Sequence, residues 1–389
     1  MALAAGAFLS PQGLKPKPWD CVRMGCVMST TGLAVHRDDI PSLDGLRAIS
    51  IALVLAGHAI KVGPHSFAFS ALCLHADLGV RTFFIISGFL ITTLLLSERS
   101  KSGSISLRSF YIRRALRILP AFFLFVGCVA LLSIFGVTPV PSWFWLYVLT
   151  YTVDFAPLGV WVLGHLWSLS VEEQFYLLWP LVTKNAKPRT CAVVAVVAIF
   201  ASQLAYAVSR LTGANLPDNA FPFVCGPIAM GCLLAIGARK IRTVIISSKL
   251  LSDSRILLLT LLLIALLDAI PTYFGMITNS LLTLCVARLV FIPSGVAGRV
   301  LNSAPFVLIG KLSYSLYLWQ ELFLNPFHSR APISTPFPVN LVVILAVASA
   351  SYWGLEVRFV GLRKKFRKTQ QPVASALPAV VIPEAKGAF

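Results

Sequence analysis

Residues Leu43–Ala59 read LDGLRAISIALVLAGHA, an apolar run interrupted by an aspartate, an arginine and a histidine. If the run is a helix with about 3.6 residues per turn, Arg47 and His58 lie about 1100° apart around its axis, or about 20° from eclipsed. Asp44 falls within about 60° of both, so the three polar side chains share one stripe. Because the opposite face is aliphatic, the segment predicts a helix with one apolar face and one chemically active face.

The composition of the chain indicates which solvent surrounds that apolar face. Of the 389 residues, 57% are hydrophobic and only 12% are charged. A soluble globular domain has about 45–50% apolar and about 25% charged residues. The sequence therefore predicts an all-α, polytopic membrane protein whose helices are surrounded by lipid.

The formal net charge of +18 would also suit a protein that binds nucleic acid. The lysines and arginines, however, form short clusters between apolar runs and not one basic face. We therefore interpret them as topology signals and expect no nucleic-acid partner. The eight cysteines are scattered without a C-x-x-C pair and lie mostly in apolar segments. We interpret them as packing residues and expect no metal site.

Apolar runs long enough to cross a bilayer occur at ten places. They cover residues 43–60, 78–97, 120–137, 166–183, 190–209, 221–237, 255–274, 277–293, 304–324 and 337–357. An eleventh candidate, Trp143–Leu158, is aromatic and contains Asp154. The main basic clusters all fall on the cytoplasmic side only if this segment does not span the membrane. We therefore predict about ten transmembrane helices plus one re-entrant or interfacial segment on the outer side.

The same rule predicts that both termini are cytoplasmic and that the protein is a multi-pass protein of the inner cell membrane. The chain then has three regions. Residues 1–40 are expected to form a disordered cytoplasmic extension, residues 41–357 the membrane domain, and residues 358–389 a basic cytoplasmic tail.

Charged residues inside apolar segments are costly and commonly mark functional sites. His58 is predicted near the outer end of the first helix, and Glu172 lies about 9 Å inside the fourth, at a depth that His58 can share. A carboxylate that fixes the tautomer of an imidazole enables it to take a proton from a hydroxyl group. We interpret His58 and Glu172 as a candidate catalytic pair, with a purely structural histidine as the alternative.

A second group of charges is predicted near the inner end of the helices, and it consists of Arg47, Arg113, Arg114 and Arg117. Guanidinium forks bind phosphate oxygens through paired, charge-assisted hydrogen bonds, so the group is a candidate site for a phosphorylated donor. A positive-inside anchor in contact with lipid headgroups is the alternative.

The remaining polar residues are assigned supporting roles. The supporting residues of the site are Asp44, Glu173 and Ser87. Asp44 has the i,i+3 spacing of an ion pair with Arg47. Ser87 precedes a glycine and is interpreted as a small residue for close helix packing rather than as a nucleophile. Asp268 and Arg288 are expected to form a structural pair on adjacent helices.

Five motifs, taken in order, resemble the integral-membrane acyltransferase 3 family, which includes enzymes that O-acylate bacterial surface glycans and nodulation signals. The motifs are LDGLRAISIALVLAGHA, GVRTFFIISGFLITTLL, FYIRRALRILP, HLWSLSVEEQFYLLWP and KLSYSLYLWQ. The resemblance covers about residues 41–357. It implies a ten-helix domain that moves an acyl group, usually acetyl from acetyl-CoA, to a carbohydrate hydroxyl.

The resemblance also implies roles for individual residues. It implies functional roles for Arg47 and His58 in the first motif, for Arg114 and Arg117 in the third, and for Glu172 in the fourth. The chain departs from the family at Arg81, where many members have aspartate, and at Gln320, where many have histidine. Neither position is therefore given a role in proton transfer.

Together these lines predict an O-acyltransferase with no bound cofactor. Acetyl-CoA or another acyl-CoA would bind its phosphates to the inner arginines, and His58 would activate the hydroxyl of a glycan or lipid-linked saccharide near the outer face, with water excluded by the helices. The membrane domain would complete the transfer alone or with a separate extracytoplasmic partner. The alternatives are a transporter or flippase of glycans or lipids, which would use the same buried charges, and a non-catalytic scaffold.

Overall fold

The structure is a computed structural model that describes residues 40, 42–60, 62–64, 66–157, 159–213, 217–268, 275–325 and 335–367. All regular secondary structure in these ranges is helical, so the all-α prediction is confirmed for the described part of the chain. Nearly all of the predicted N-terminal extension, and the tail beyond residue 367, lie outside the described residues.

The first ten helices are α1 Leu43–Ala59, α2 Phe67–Cys73, α3 Ala76–Ser102, α4 Leu107–Ile134, α5 Phe144–Leu149, α6 Trp161–Gly164, α7 Leu166–Asn185, α8 Pro188–Thr212, α9 Phe221–Val224 and α10 Gly226–Ile236. They are followed by α11 Ala238–Ser247, α12 Lys249–Ser252, α13 Ser254–Asp268, α14 Gly275–Phe291, α15 Gly295–Leu301, α16 Ala304–Phe323, α17 Val339–Ser351 and α18 Val357–Arg367. A 3₁₀ turn occupies Val153–Phe155, and a π-helical turn, Tyr352–Glu356, joins α17 to α18.

Several of these helices are long and apolar enough to cross a membrane. Within the described ranges the four candidates are Phe69–Ser102, Leu107–Ile134, Pro188–Thr212 and Val339–Leu362. A fifth candidate consists of α14 and α15 together, which bend by 84° at their junction. Each of the ten predicted runs overlaps a helix. Length and composition support four to five crossings, so the predicted number of ten is not confirmed.

The outer surface carries many exposed large apolar side chains. Examples on α7, α8 and α13 are Leu177, Phe200, Leu204, Leu258 and Leu266. Soluble proteins rarely expose contiguous apolar surface on this scale, and lipid is the solvent that suits it. The polar side chains described below lie instead between the helices.

Helices α1 and α16 pack side by side and run in the same direction. Gly310 of α16 lies directly against the backbone carbonyl of Asp44, which leaves no room for a Cβ atom. Further along the two helices, Glu321 contacts His58. The close approach at the glycine therefore sets the register that brings these two side chains together.

Helix α4 begins earlier than the sequence predicted. The apolar run starts at Pro120, but the helix starts at Leu107, where the Ser106 hydroxyl accepts a hydrogen bond from the backbone N–H of Ser109 at 3.3 Å. This contact caps the helix and satisfies one of its free N–H groups. Pro120 therefore lies inside α4, and the predicted arginine cluster belongs to its first turns.

The segment Trp143–Leu158 is broken into the short helix α5 and a 3₁₀ turn, and its last residue lies outside the described ranges. Asp154 is buried and accepts hydrogen bonds from the backbone N–H of Phe221 at 3.0 Å and from the Gln174 amide at 2.8 Å. Burial raises the pKa of Asp154, and these hydrogen bonds oppose that shift. A segment of this form is not a spanning helix, in agreement with the prediction.

Candidate active site

A buried carboxylate, Glu321, contacts two histidines. Its Oε1 atom lies 3.0 Å from Nε2 of His58, and its Oε2 atom lies 2.8 Å from Nδ1 of His165. The backbone N–H of His165 donates a second hydrogen bond to Oε2 at 3.2 Å. The side chains of Glu321 and His165 are 5% and 0% exposed, whereas that of His58 is 27% exposed. His58 is therefore the member of this group that an incoming molecule can reach.

The two nitrogens of His58 have different partners. Nε2 faces Glu321, and Nδ1 lies 3.0 Å from the backbone carbonyl of Val54, one helical turn earlier. Both partners are acceptors, and a neutral ring carries only one N–H, so it can donate to only one of them. With the proton on Nε2, towards the carboxylate, the lone pair of Nδ1 faces the Val54 carbonyl. When the ring is protonated, both nitrogens donate to an acceptor. The arrangement therefore stabilises the imidazolium that forms when His58 removes a proton.

The predicted pair of His58 and Glu172 is wrong, because Glu172 has other partners. Its carboxylate accepts hydrogen bonds from the hydroxyl groups of Ser87 at 2.7 Å and Tyr176 at 3.1 Å. The first residue of the same motif, His165, contacts the glutamate that contacts His58, whereas Glu172 lies about 10 Å further along the chain in the helix direction.

Sequence reasoning overlooked Glu321, although a signal was present. Glu321 lies inside the apolar run 304–324, and an intramembrane carboxylate is a functional candidate for the same reason as the residues that were selected.

A cavity lies between α1, α3, α4, α7 and α16. Three of the four predicted arginines line it, namely Arg47, Arg114 and Arg117, together with Ser87 and Glu172. The fourth, Arg113, is absent from this lining and pairs with Glu98 at 2.9 Å. The structure thus brings most of the predicted basic cluster together with two residues predicted on other helices.

The three arginines of the cavity differ in their partners. Arg114 lies 3.6 Å from Glu172 and 3.5 Å from Glu173, and its guanidinium carbon is 3.6 Å from the centre of the Tyr176 ring. Arg117 has no carboxylate within ion-pair distance in the described part of the chain. Arg114 is therefore held by two carboxylates at short range, whereas Arg117 has only the longer-range attraction of Glu356 and Glu172 and keeps more capacity to bind an anion.

Asp44 lies 4.0 Å from Arg47, at the i,i+3 spacing that the sequence predicted. The contact is at the limit of an ion pair, so Arg47 keeps much of its capacity to bind another anion. Arg47 and Arg117 are accordingly the two arginines of the cavity best suited to phosphate.

The cavity extends to the residues that contact His165. Tyr317 and Ser168 line it, and their hydroxyl oxygens lie 2.5 Å apart. The Tyr317 hydroxyl also donates a hydrogen bond to the backbone carbonyl of His165. A chain of contacts thus connects the basic cavity, through Tyr317 and His165, to Glu321 and His58.

The predicted pair of Asp268 and Arg288 is wrong. Asp268 lies 3.0 Å from His75 and 3.6 Å from Arg81, and Arg288 donates a hydrogen bond to the backbone carbonyl of Ser252 at 2.7 Å. Asp268 ends α13, whereas Arg288 lies near the far end of α14, about 20 Å along the axis from its start. Asp268 and Arg288 therefore lie far apart, although the helices α13 and α14 that carry them are neighbours.

Comparison with known proteins gives a consistent result. The model of the family described as "Acyltransferase domain", Acyl_transf_3, matches residues 40–355. O-acetyltransferase OatA of Staphylococcus aureus strain NCTC 8325 is 30% identical over 368 residues, which are 84% of this chain and 57% of that protein. OatA of strain MRSA252 gives the same values. The chain thus spans about 57% of the length of these curated relatives. No solved structure matches the chain.

Proposed function

Because the chain belongs to the acyltransferase 3 family, as its motifs indicated, we propose that it transfers an acetyl group from acetyl-CoA to a carbohydrate hydroxyl of a cell-envelope glycan. The names of the similar S. aureus proteins support O-acetyl transfer. The observation that carries the proposal is the connection between the basic cavity and the His58–Glu321 pair. The basic cavity provides a site for an anionic donor, and the His58–Glu321 pair provides a base for a hydroxyl group.

The donor binds in the cavity through its phosphates. Arg117 and Arg47 supply the guanidinium forks, because Arg114 is held by two glutamates and shapes the wall. The acyl thioester then extends towards Tyr317, on the side of the cavity that contacts His165.

The transfer requires one general base. The acceptor hydroxyl replaces the Val54 carbonyl as the partner of Nδ1 of His58, and its oxygen attacks the thioester carbonyl while its proton passes to Nδ1. The carbon–sulfur bond breaks, and the CoA thiolate leaves and regains the proton from His58. Glu321 holds Nε2 throughout and stabilises the positive charge of the ring. Helices on all sides exclude water and so limit hydrolysis of the thioester.

The proposed topology places the donor on the cytoplasmic side and the acceptor on the outer side, with ten crossings and cytoplasmic termini. The parallel packing of α1 and α16 supports it, because the first and ninth crossings of such a topology run in the same direction. The charged groups support it as well, since Arg47 and His58 lie near opposite ends of α1.

Release of CoA by purified protein in lipid nanodiscs tests the proposal. We expect CoA release from acetyl-CoA to depend on added glycan, with acetyl ester appearing on the glycan in equal amount. Passage of glycan across proteoliposomes without CoA release would contradict the proposal and indicate a transporter.

A further inference from the structure

We propose that His165 is a positioning residue that fixes the carboxylate of Glu321 for its contact with His58. The proposal rests on the proposed function, because it concerns the base of that reaction. The positioning role goes beyond the proposed function, because in it His165 itself contacts neither the donor nor the acceptor. Its effect on the reaction passes entirely through Glu321.

The carboxylate of Glu321 has a separate task for each oxygen. Oε1 faces His58 at 3.0 Å, and Oε2 receives both the ring Nδ1 of His165 at 2.8 Å and the backbone N–H of His165 at 3.2 Å. A glutamate side chain has three rotatable torsions and places its carboxylate poorly when it is held at only one oxygen. Two donors from one residue fix Oε2 and thereby aim Oε1 at His58.

His165 is itself held rigidly. Its side chain is 0% exposed and packs between the rings of Phe125 and Tyr317, with centroid distances of 5.6 and 5.2 Å. The Tyr317 hydroxyl also donates to its backbone carbonyl. A side chain locked in this way is suited to orienting a partner.

Only one nitrogen of the His165 ring is used. Nδ1 contacts Glu321, whereas Nε2 is buried and has no hydrogen-bond partner among the described residues. A buried ring nitrogen without a partner costs free energy, so packing alone does not account for an imidazole here. The role of the ring therefore depends on the hydrogen bond that its Nδ1 donates to Glu321.

Because only Nδ1 of His165 has a partner, replacing His165 by asparagine and by glutamine gives a direct test. The side-chain nitrogen of asparagine is attached to Cγ, as Nδ1 of histidine is, whereas the nitrogen of glutamine lies one bond further out, as Nε2 does. His165→Asn should therefore keep the contact with Glu321, and His165→Gln should lose it. We expect kcat of His165→Gln to fall about 10- to 100-fold, the worth of one hydrogen bond to a charged group. His165→Asn should stay close to the parent, and KM for acetyl-CoA should change in neither variant.

Two further measurements separate positioning from a structural role. In the Glu321→Gln background, His165→Gln should lower kcat no further, because its effect passes through the lost carboxylate. His75→Asn is the matched control, since His75 also contacts a carboxylate, Asp268, at 3.0 Å in a separate cluster, and it should leave kcat unchanged.

Each outcome decides one proposal. Equal kcat of the Asn and Gln variants at position 165, whether both are parental or both are reduced, would overturn the positioning role. Full additivity of His165→Gln with Glu321→Gln would overturn it as well. If the parent protein releases no CoA, or if His58→Gln retains full activity, the proposed function itself fails.

Discussion

Nε2 of His58 lies 3.0 Å from Oε1 of Glu321, so two residues that are far apart in the sequence form one imidazole–carboxylate pair. Glu321 is 5% exposed, and its charge cannot be compensated by water. The pair therefore depends on the packing of α1 against α16 and links the fold directly to the proposed chemistry.

Glu321→Gln should lower kcat by at least about tenfold, because the amide cannot stabilise the imidazolium of His58 by charge. Initial rates of CoA release from purified protein measure this effect. Glu172→Gln is the comparison, and it should cause the smaller loss in kcat because Glu172 contacts Ser87 and Tyr176 instead of His58. The reverse order of the two variants would contradict the assignment of Glu321.

Arg117→Ala should raise KM for acetyl-CoA by about tenfold or more, because Arg117 lines the cavity and has no carboxylate within ion-pair distance in the described part of the chain. Arg114→Ala should instead lower the free energy of unfolding by about 1–3 kcal/mol, because it leaves two half-buried glutamates without a countercharge. Steady-state kinetics and thermal unfolding of both variants give the comparison. Unchanged KM in Arg117→Ala would remove this residue from the donor site.

Gly310→Ala should destabilise the protein by about 1–3 kcal/mol, because its Cβ would collide with the backbone of Asp44. Gly127→Ala is the matched control in α4, where a Cβ meets no atom within 4 Å, and it should be neutral or stabilising. Thermal melting in one detergent measures both. Equal Tm values for the two variants would contradict the close approach of α1 and α16.

The stability of Asp154→Asn relative to the parent should increase as the pH rises above about 4. The pKa of Asp154 is raised by burial, so the folded state binds the proton more tightly than the unfolded chain does. The resulting stability is present at low pH and is lost as the pH rises through the folded-state pKa. The difference in Tm between variant and parent, measured from pH 4 to pH 8, should therefore grow with pH. A constant difference would show that burial does not affect this titration.

The sequence was informative where the relevant geometry is local. The helical period placed Arg47 and His58 on one stripe of α1, and the structure puts the first on the cavity and the second on Glu321. Such relationships depend on a single helix and so follow from its pitch.

Relationships between helices were harder to predict. The partner of His58 depends on the register of α1 and α16, which is set by the close contact at Gly310. The hydropathy pattern of the two helices does not predict this register. Glu172 and Glu321 could both have reached the depth of His58, and only the packing chooses between them. The start of α4 was misplaced for a related reason, since basic residues were assigned to a loop although Ser106 caps a helix there.

The turnover of His58→Gln tests the central claim most directly. CoA release from acetyl-CoA, measured at equal concentrations of folded variant and parent with a glycan acceptor, should fall by about 10²–10⁴-fold, the usual contribution of a general base. KM for acetyl-CoA should stay the same, because the arginines of the cavity are unaltered. Near-parental turnover by a well-folded His58→Gln protein would contradict the role of His58 as the base.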